Sequence, residues 1–252
     1  MNTIGIAGYG FYDKKRIGGS NGRLISGSPS IDTVKWRDVS DSPFKRFGQL
    51  DALSKAAMIA TEMIGLDQFP TAEHKLTVGI SLGTQEGCLG TDIDFRASAL
   101  EREIANPRLF AYTLPSTICG DIAIRYGLCG PNACFQYGPR SGSFALEEGY
   151  HLIESGEADA CLCIEVDALF SKSAQTATAH DMLPDEHSFS AYAILLARNS
   201  GASTPLLCTI SATNGTYCVG DSNTSLKELC AWMESIDGQT PMLKLGREND
   251  PI

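Results

Sequence analysis

The sequence predicts a layered α/β fold, with helices covering both faces of a sheet, and three observations carry that expectation. Short runs that are almost continuously apolar, residues 76–82, 159–166 and 189–197, alternate with segments of helical period. A strand with apolar side chains on both sides needs cover on both faces. Glycine fills 25 of the 252 positions, which suits tight turns and close helix–sheet contacts. The 43% hydrophobic and 20% charged composition fits a chain able to bury a large core.

Residues 3–8 read as a first core strand, and residues 13–47, rich in Gly, Ser and Pro, as a long loop. Leu50, Leu53, Ala57, Ile59, Ala60, Met63 and Ile64 recur with helical period, so 50–66 is a helix with Gly65 near its end. A buried strand over 76–82 follows, with Gly83 and Thr84 in a turn. Residues 91–105 form a helix with Thr91 or Asp92 as N-cap, stopped by Pro107. Residues 115–126 form another, with Pro115 near its start and Gly127 at its end. Then come strand 133–137, helix 141–155 ending at Gly156, strands 159–166, 189–197 and 206–212, a short amphipathic helix over 225–236 and a polar tail over 246–252.

The net charge of −10 argues against a general nucleic-acid binder. The nine Cys form no CxxC and no Cys/His cluster at zinc spacing, so reduced thiols and a cytoplasmic setting are the default expectation. The N-terminal segment has no basic n-region, and no apolar run nears the roughly 20 residues needed to span a bilayer. His180, Asp181, Asp185, Glu186 and His187 share the loop 171–187, but their spacing fits no standard metal motif and a solvated loop accounts for them. Neither a metal nor a cofactor is expected.

Residues 130–142 are the most informative stretch. A strand ending at Tyr137, a tight turn and a helix opening on Ser141 and Gly142 make an elbow that presents one side chain at a helix N-terminus. Enzymes place Ser or Cys there, where the dipole and free N–H groups favour an anion. This chain places Pro139 there, with neither nucleophile nor N–H.

The ordered series of segments 47–57, 78–84, 106–117, 122–132 and 141–160 resembles the β-ketoacyl synthases of the thiolase superfamily, over about residues 1–215. The resemblance implies the N-terminal half of a thiolase-like fold, α-β-α layers around a mixed sheet, with the second half missing. Residues 1–252 are then a single domain whose stretch 216–252 is a C-terminal extension. Aligned through Gly130, Pro131, Asn132, Ser141 and Gly142, the family's nucleophilic Cys falls on Pro139. The segments supplying the family's two catalytic His have no counterpart. The resemblance is strongest to the half-length chain-length factors of aryl-polyene and type II polyketide systems. It implies a non-catalytic subunit that pairs with a full-length β-ketoacyl synthase as a heterodimer and meets an acyl carrier protein through that complex. No nucleic-acid or membrane partner is expected. An altered acyl-thioester chemistry using Ser141 or Cys134, and a homodimeric scaffold, stay open beside that reading.

By the same resemblance, Ala133, Cys134, Phe135, Gln136 and Tyr137 form a strand that pairs with a partner's strand; the alternative is an ordinary internal strand. Phe95, Ala99, Leu109 and Phe110 lie at the mouth of the partner's acyl tunnel, unless Phe95 and Phe110 belong to the chain's own core. Arg140 meets a phosphate or carboxylate, or is simply solvated. Ser141 and Ser143 cap and pack the first helical turn, and Cys134 is a packed small residue. A half-fold also leaves an apolar face that needs either a partner or a polar replacement surface drawn from 216–252.

Overall fold

The structure, a computed structural model, describes residues 4–69, 77–169, 189–198, 208–213, 226–235 and 242–246. The strands are β1 (Ile4–Tyr12), β2 (Arg16–Gly19), β3 (Leu24–Ser26), β4 (Val78–Gly83), β5 (Asn132–Phe135), β6 (Ala160–Ala168), β7 (Phe189–Arg198), β8 (Cys208–Thr213) and β9 (Met242–Gly246). The helices are α1 (Trp36–Val39), α2 (Ala52–Ile64), α3 (Leu89–Arg102), α4 (Pro107–Ala111), α5 (Ser116–Tyr126), α6 (Ser141–Glu154) and α7 (Leu226–Ser235).

One mixed sheet runs in the order β3-β2-β1-β7-β6-β4-β5, with β8 on β1 and β9 on β8. Strands β4, β5 and β6 are parallel, while β7 lies antiparallel between β6 and β1. The continuously apolar strands do serve two faces. Along β6, Leu162 and Ile164 enter one core with α2 and α5, while Cys161 and Cys163 enter the other with α6 and α7. This is the layered α-β-α arrangement with a mixed sheet.

Helix α2 is the central piece. Asp51 caps it, with Oδ1 accepting the Ser54 N–H at 2.8 Å, and Gly65 ends it at φ 76°, where a side chain would be strained. Ten of its thirteen residues are buried, more than one sheet-facing stripe can account for. The rest of the cover comes from α5 and from Ile31, Trp36, Val39 and Phe47. Arg125 of α5 pins that cover: its guanidinium lies 5.3 Å from the Trp36 ring and 5.2 Å from Phe44, and donates to Ser42 Oγ at 3.0 Å. The N-terminal excursion thus covers α2, and α7 packs on the opposite face of the sheet.

Several boundaries differ from the sequence reading. The stretch 13–47 is not a plain loop: it holds the hairpin β2–β3 and helix α1. Helix α3 begins at Leu89 behind Cys88, not at Thr91 or Asp92, because the Thr91 hydroxyl donates to Asp51 Oδ2 at 2.6 Å instead of capping. Pro107 does not stop it. The helix ends at Arg102 with Glu103 at φ 54°, and Pro107 opens α4. The loop 171–187, and with it His180, Asp181, Asp185, Glu186 and His187, lies outside the described residues, as does the tail beyond Gly246.

Candidate functional site

The C-terminal ends of the parallel strands β4, β5 and β6 converge, and in parallel α/β sheets sites form at that end. The turn after β4 is tightly held. Asp167 Oδ1, at the end of β6, accepts the Thr84 hydroxyl at 3.0 Å and the N–H groups of Gln85 at 2.8 Å and Glu86 at 3.1 Å. Gly87, at φ 61°, donates its N–H to Thr84 Oγ1 at 3.0 Å and abuts the Gln136 side chain. Burial raises the Asp167 carboxyl, and the donated hydrogen bonds only partly offset it.

The turn after β5 is the elbow. A 3-10 turn over Gly138–Arg140 joins β5 to α6, with Gly138 at φ 61°. Pro139 and Arg140 are exposed, and Pro139 stands at the apex. Ser141 is buried, and its hydroxyl is fully occupied: Oγ accepts the Tyr137 N–H at 2.7 Å and donates to the Gly138 carbonyl at 2.8 Å. Ser141 therefore does not cap α6; Arg140 holds the N-cap position without a side-chain bond, and Ser141 laces the turn shut. Arg140 is not merely solvated, since its guanidinium covers the Phe144 ring at 5.2 Å. Phe144 meets Tyr137 edge-on at 5.0 Å and Phe135 at 6.3 Å, and Tyr137 stays 65% exposed.

Strand β5 pairs with β4 alone, so among the described residues it is the outermost strand at its edge of the sheet, not an internal one. Asn132 and Cys134 point outward, while Ala133 and Phe135 are half-buried. Cys134 is exposed, so it is not the packed small residue the sequence suggested. Partial burial nevertheless raises its thiol, which disfavours the reactive thiolate. Among the described residues the one histidine is His151, on α6 beside Glu154 and about 15 Å along the helix from Ser141. No described histidine stands beside the elbow.

Helix α6 lies close on the sheet. A Cβ at Gly83 of β4 would meet the Ser141 carbonyl, one at Gly142 would meet the Glu165 carboxylate, and one at Gly149 would meet Cys163 Sγ. Glu165 Oε2 also accepts the Leu226 N–H at 2.7 Å, so one half-buried carboxylate packs against the first turn of α6 and bonds that of α7. Burial raises it to about 7, against the pull of the Leu226 and Lys227 N–H groups. Glu165 and Asp167 were missed in the sequence. Their signal was two acids at alternate positions in an otherwise apolar strand.

The four residues expected at the mouth of a partner's tunnel fall around α3 and α4. Phe95 and Phe110 meet at 5.8 Å between ring centroids. Phe110 is 61% exposed, so it is not core, whereas Phe95, Ala99 and Leu109 are half-buried. Leu100, Ile104 and Leu114, in or beside these helices, are also exposed. Leu109 further lines a cleft of about 250 Å³ together with Asp51, Lys55, Thr91, Asp94 and Arg108. Arg108 Nη2 donates to the Gln49 carbonyl at 2.7 Å and ties α4 to the start of α2.

Frame and elbow together define a ketosynthase-type α/β domain, and comparison with known proteins agrees. Residues 46–204 match the family described as β-ketoacyl synthase, N-terminal domain. The chain belongs to the β-ketoacyl synthase family through that domain. It is 35% identical over 115 residues to the tetracenomycin polyketide synthase ketoacyl synthase alpha subunit of Streptomyces glaucescens, covering 42% of this chain and 26% of that protein. A putative polyketide β-ketoacyl synthase 1 of Streptomyces cyaneus is 38% identical over 71 residues, 28% of this chain and 15% of that protein. The matches thus span about a quarter or less of those relatives. Among solved structures, the ishigamide ketosynthase/chain length factor superposes with a TM-score of 0.61 at 20% identity, over 81% of this chain and 64% of that one. The ketosynthase ApeO with its chain length factor ApeC from Xenorhabdus doucetiae gives 0.53 at 15%, over 77% and 79%. The AntDE:AntF complex of a type II ketosynthase with its acyl carrier protein gives 0.63 at 15%, over 97% and 85%. These structures share the fold. Among the described residues no helix is long and apolar enough to cross a membrane.

Proposed function

We propose that this chain is a non-catalytic ketosynthase-like subunit, a chain-length factor, that pairs with a full-length β-ketoacyl synthase in polyketide or fatty-acid-like biosynthesis. The observation that carries the reading is Pro139 at the apex of an otherwise intact elbow, with the neighbouring Ser141 hydroxyl spent on the turn itself. Thioester capture and condensation then belong to the partner. The open edge of β5 supports pairing by strand addition through residues 133–137, because its unpaired backbone groups need a partner or water. The exposed Phe110, with Phe95, Ala99 and Leu109 behind it, is the surface that would border the partner's acyl tunnel and limit chain length by volume.

Co-expression with a full-length type II β-ketoacyl synthase tests the reading. A stable heterodimer and a product length that shifts with Phe110→Ala are expected. Absence of a complex, with unchanged products from the ketosynthase alone, overturns it. Incubation with an acyl-thioester, followed by intact-mass measurement, separates the enzymatic alternative: an adduct on Cys134 or Ser141 would establish chemistry in this chain. A homodimer that ignores the ketosynthase would establish the scaffold.

A further inference from the structure

The cleft between α2, α3 and α4 shares only Leu109 with the proposed tunnel border, and its lining has a chemistry of its own. It has a volume of about 250 Å³ and is closed on one side by Ile31 and Asp32 of the N-terminal excursion. One hydrogen bond sets its shape: the Thr91 hydroxyl donates to Asp51 Oδ2 at 2.6 Å and joins α3 to the start of α2. One helical turn beyond that joint, Lys55 follows Asp51 along α2 and Asp94 follows Thr91 along α3, so both face the cleft. Arg108 of α4 stands across from them. Its Nε and Nη2 donate to the Gln49 carbonyl at 3.2 and 2.7 Å, and Nη1 takes no part in that pair.

The charges of this wall balance. Asp51 is committed to the fold, with Oδ1 on the Ser54 N–H and Oδ2 on Thr91. Beyond it the cleft sets Asp32 and Asp94 against Lys55 and Arg108. The two acids oppose a phosphate or other simple anion, and the two cations oppose a metal ion or a simple amine. Among the described residues no group of acids, thiols and imidazoles converges as a metal site. A purely apolar acyl chain would strip water from four charged side chains and replace none of it. The floor is different: Ile31, Leu50 and Tyr112 are at most 7% exposed. The lining therefore fits one charge of each sign beside an apolar group, in a volume under the roughly 300 Å³ at which drug-sized pockets begin.

We propose that the cleft between α2, α3 and α4 binds a small zwitterion with an apolar side chain, of the α-amino-acid class. Its carboxylate pairs with Arg108 and Lys55, its ammonium with Asp94 and Asp32, and its side chain rests on the apolar floor. The site stands whether or not the chain has a ketosynthase partner. Occupancy has a mechanical consequence. Helix α4 carries Arg108 at the cleft and Phe110 at the surface, so a ligand anchored on Arg108 steadies the helix that presents Phe110.

The test uses the full chain with L-phenylalanine and L-leucine as probes and reads affinity by calorimetry. Saturable binding with a Kd below about 1 mM is expected. Three analogues should each bind about tenfold more weakly or worse: 3-phenylpropionate lacks the ammonium, phenethylamine the carboxylate, and L-serine the apolar side chain. Asp94→Asn and Arg108→Gln should each weaken L-phenylalanine about tenfold. Lys55→Gln should weaken it in the same direction and guards against loss of the Arg108 tie to Gln49 lowering the melting temperature. Bound L-phenylalanine should also slow amide exchange over residues 106–112. No saturable binding up to about 10 mM overturns the inference, as does equal binding of the analogues or undiminished binding by both Asp94→Asn and Lys55→Gln. Tighter binding of octanoate or of inorganic phosphate would overturn it too, by assigning the cleft to an acyl chain or to an anion. Failure to pair with a ketosynthase, with amino-acid binding intact, would sink the proposed function and leave this site standing.

Discussion

Two turns leave neighbouring parallel strands at the same end of the sheet, and they are built in opposite ways. The turn after β4 is nailed down, with three donors converging on Asp167 Oδ1 and Gly87 tied back to Thr84. The turn after β5 exposes its apex, Pro139 and Arg140, and is held from beneath by Ser141 and from the side by Arg140 on Phe144. The contrast separates frame from function. In the first turn side-chain chemistry is consumed by the fold, whereas in the second the fold supplies a presented position that carries no reactive group.

The sharpest break of this contrast is at Gly83, whose added Cβ would strike the Ser141 backbone carbonyl, an atom with no freedom to swing away. Gly83→Ala is expected to cost about 3–4 kcal/mol in urea denaturation; a loss under 1 kcal/mol would show that α6 does not sit this close. Glu165, beneath the elbow, comes next. Its folded carboxyl titrates at about 7 against an ordinary 4.5, so between those values the folded chain holds a proton that the unfolded chain has released. Stability is therefore highest below about pH 4.5 for this group and falls as pH rises through 7, by on the order of 3 kcal/mol. Asp167, also raised, acts in the same direction. Glu165→Gln should flatten much of that slope in denaturation measured from pH 5 to 8. An unaltered slope would remove Glu165 as its source.

On the locked turn, Asp167→Ala is expected to cost about 2 kcal/mol, since it strands the buried Thr84 hydroxyl and two N–H groups. Amide exchange of residues 84–87 should rise with it, while exchange at 137–141 should not. The smallest effect is expected on the open turn. Pro139→Cys should shift stability by less than about 1 kcal/mol and should acquire no acyl group from a thioester, because no described histidine lies beside it. Efficient acylation of that variant would mean the elbow still holds catalytic machinery.

The strands and helices facing the core were readable in the sequence because apolar period and capping glycines agree there, as at Gly65 and Gly127. The hairpin β2–β3 was hidden because short strands flanked by Gly and Ser carry the same composition as a loop. Thr91 misled for a different reason. Its hydroxyl suits an N-cap in isolation, and only the tertiary neighbour Asp51 takes it away. The elbow with Pro139 in its turn was legible because a strand, a turn and a helix start are local features. Its lacing by Ser141, its support by Glu165 and the edge position of β5 were not, since each depends on which strands become neighbours.

The glycine contacts of α6 bear on thermodynamics as well as shape. A helix seated on the sheet at Gly142 and Gly149, and wedged at its start against Gly83, has little room to tilt or slide. Whatever docks on the elbow or along β5 would meet a surface already ordered before the encounter. Little conformational entropy would be lost on this side of the complex, and association there would approach rigid-body docking rather than folding upon binding.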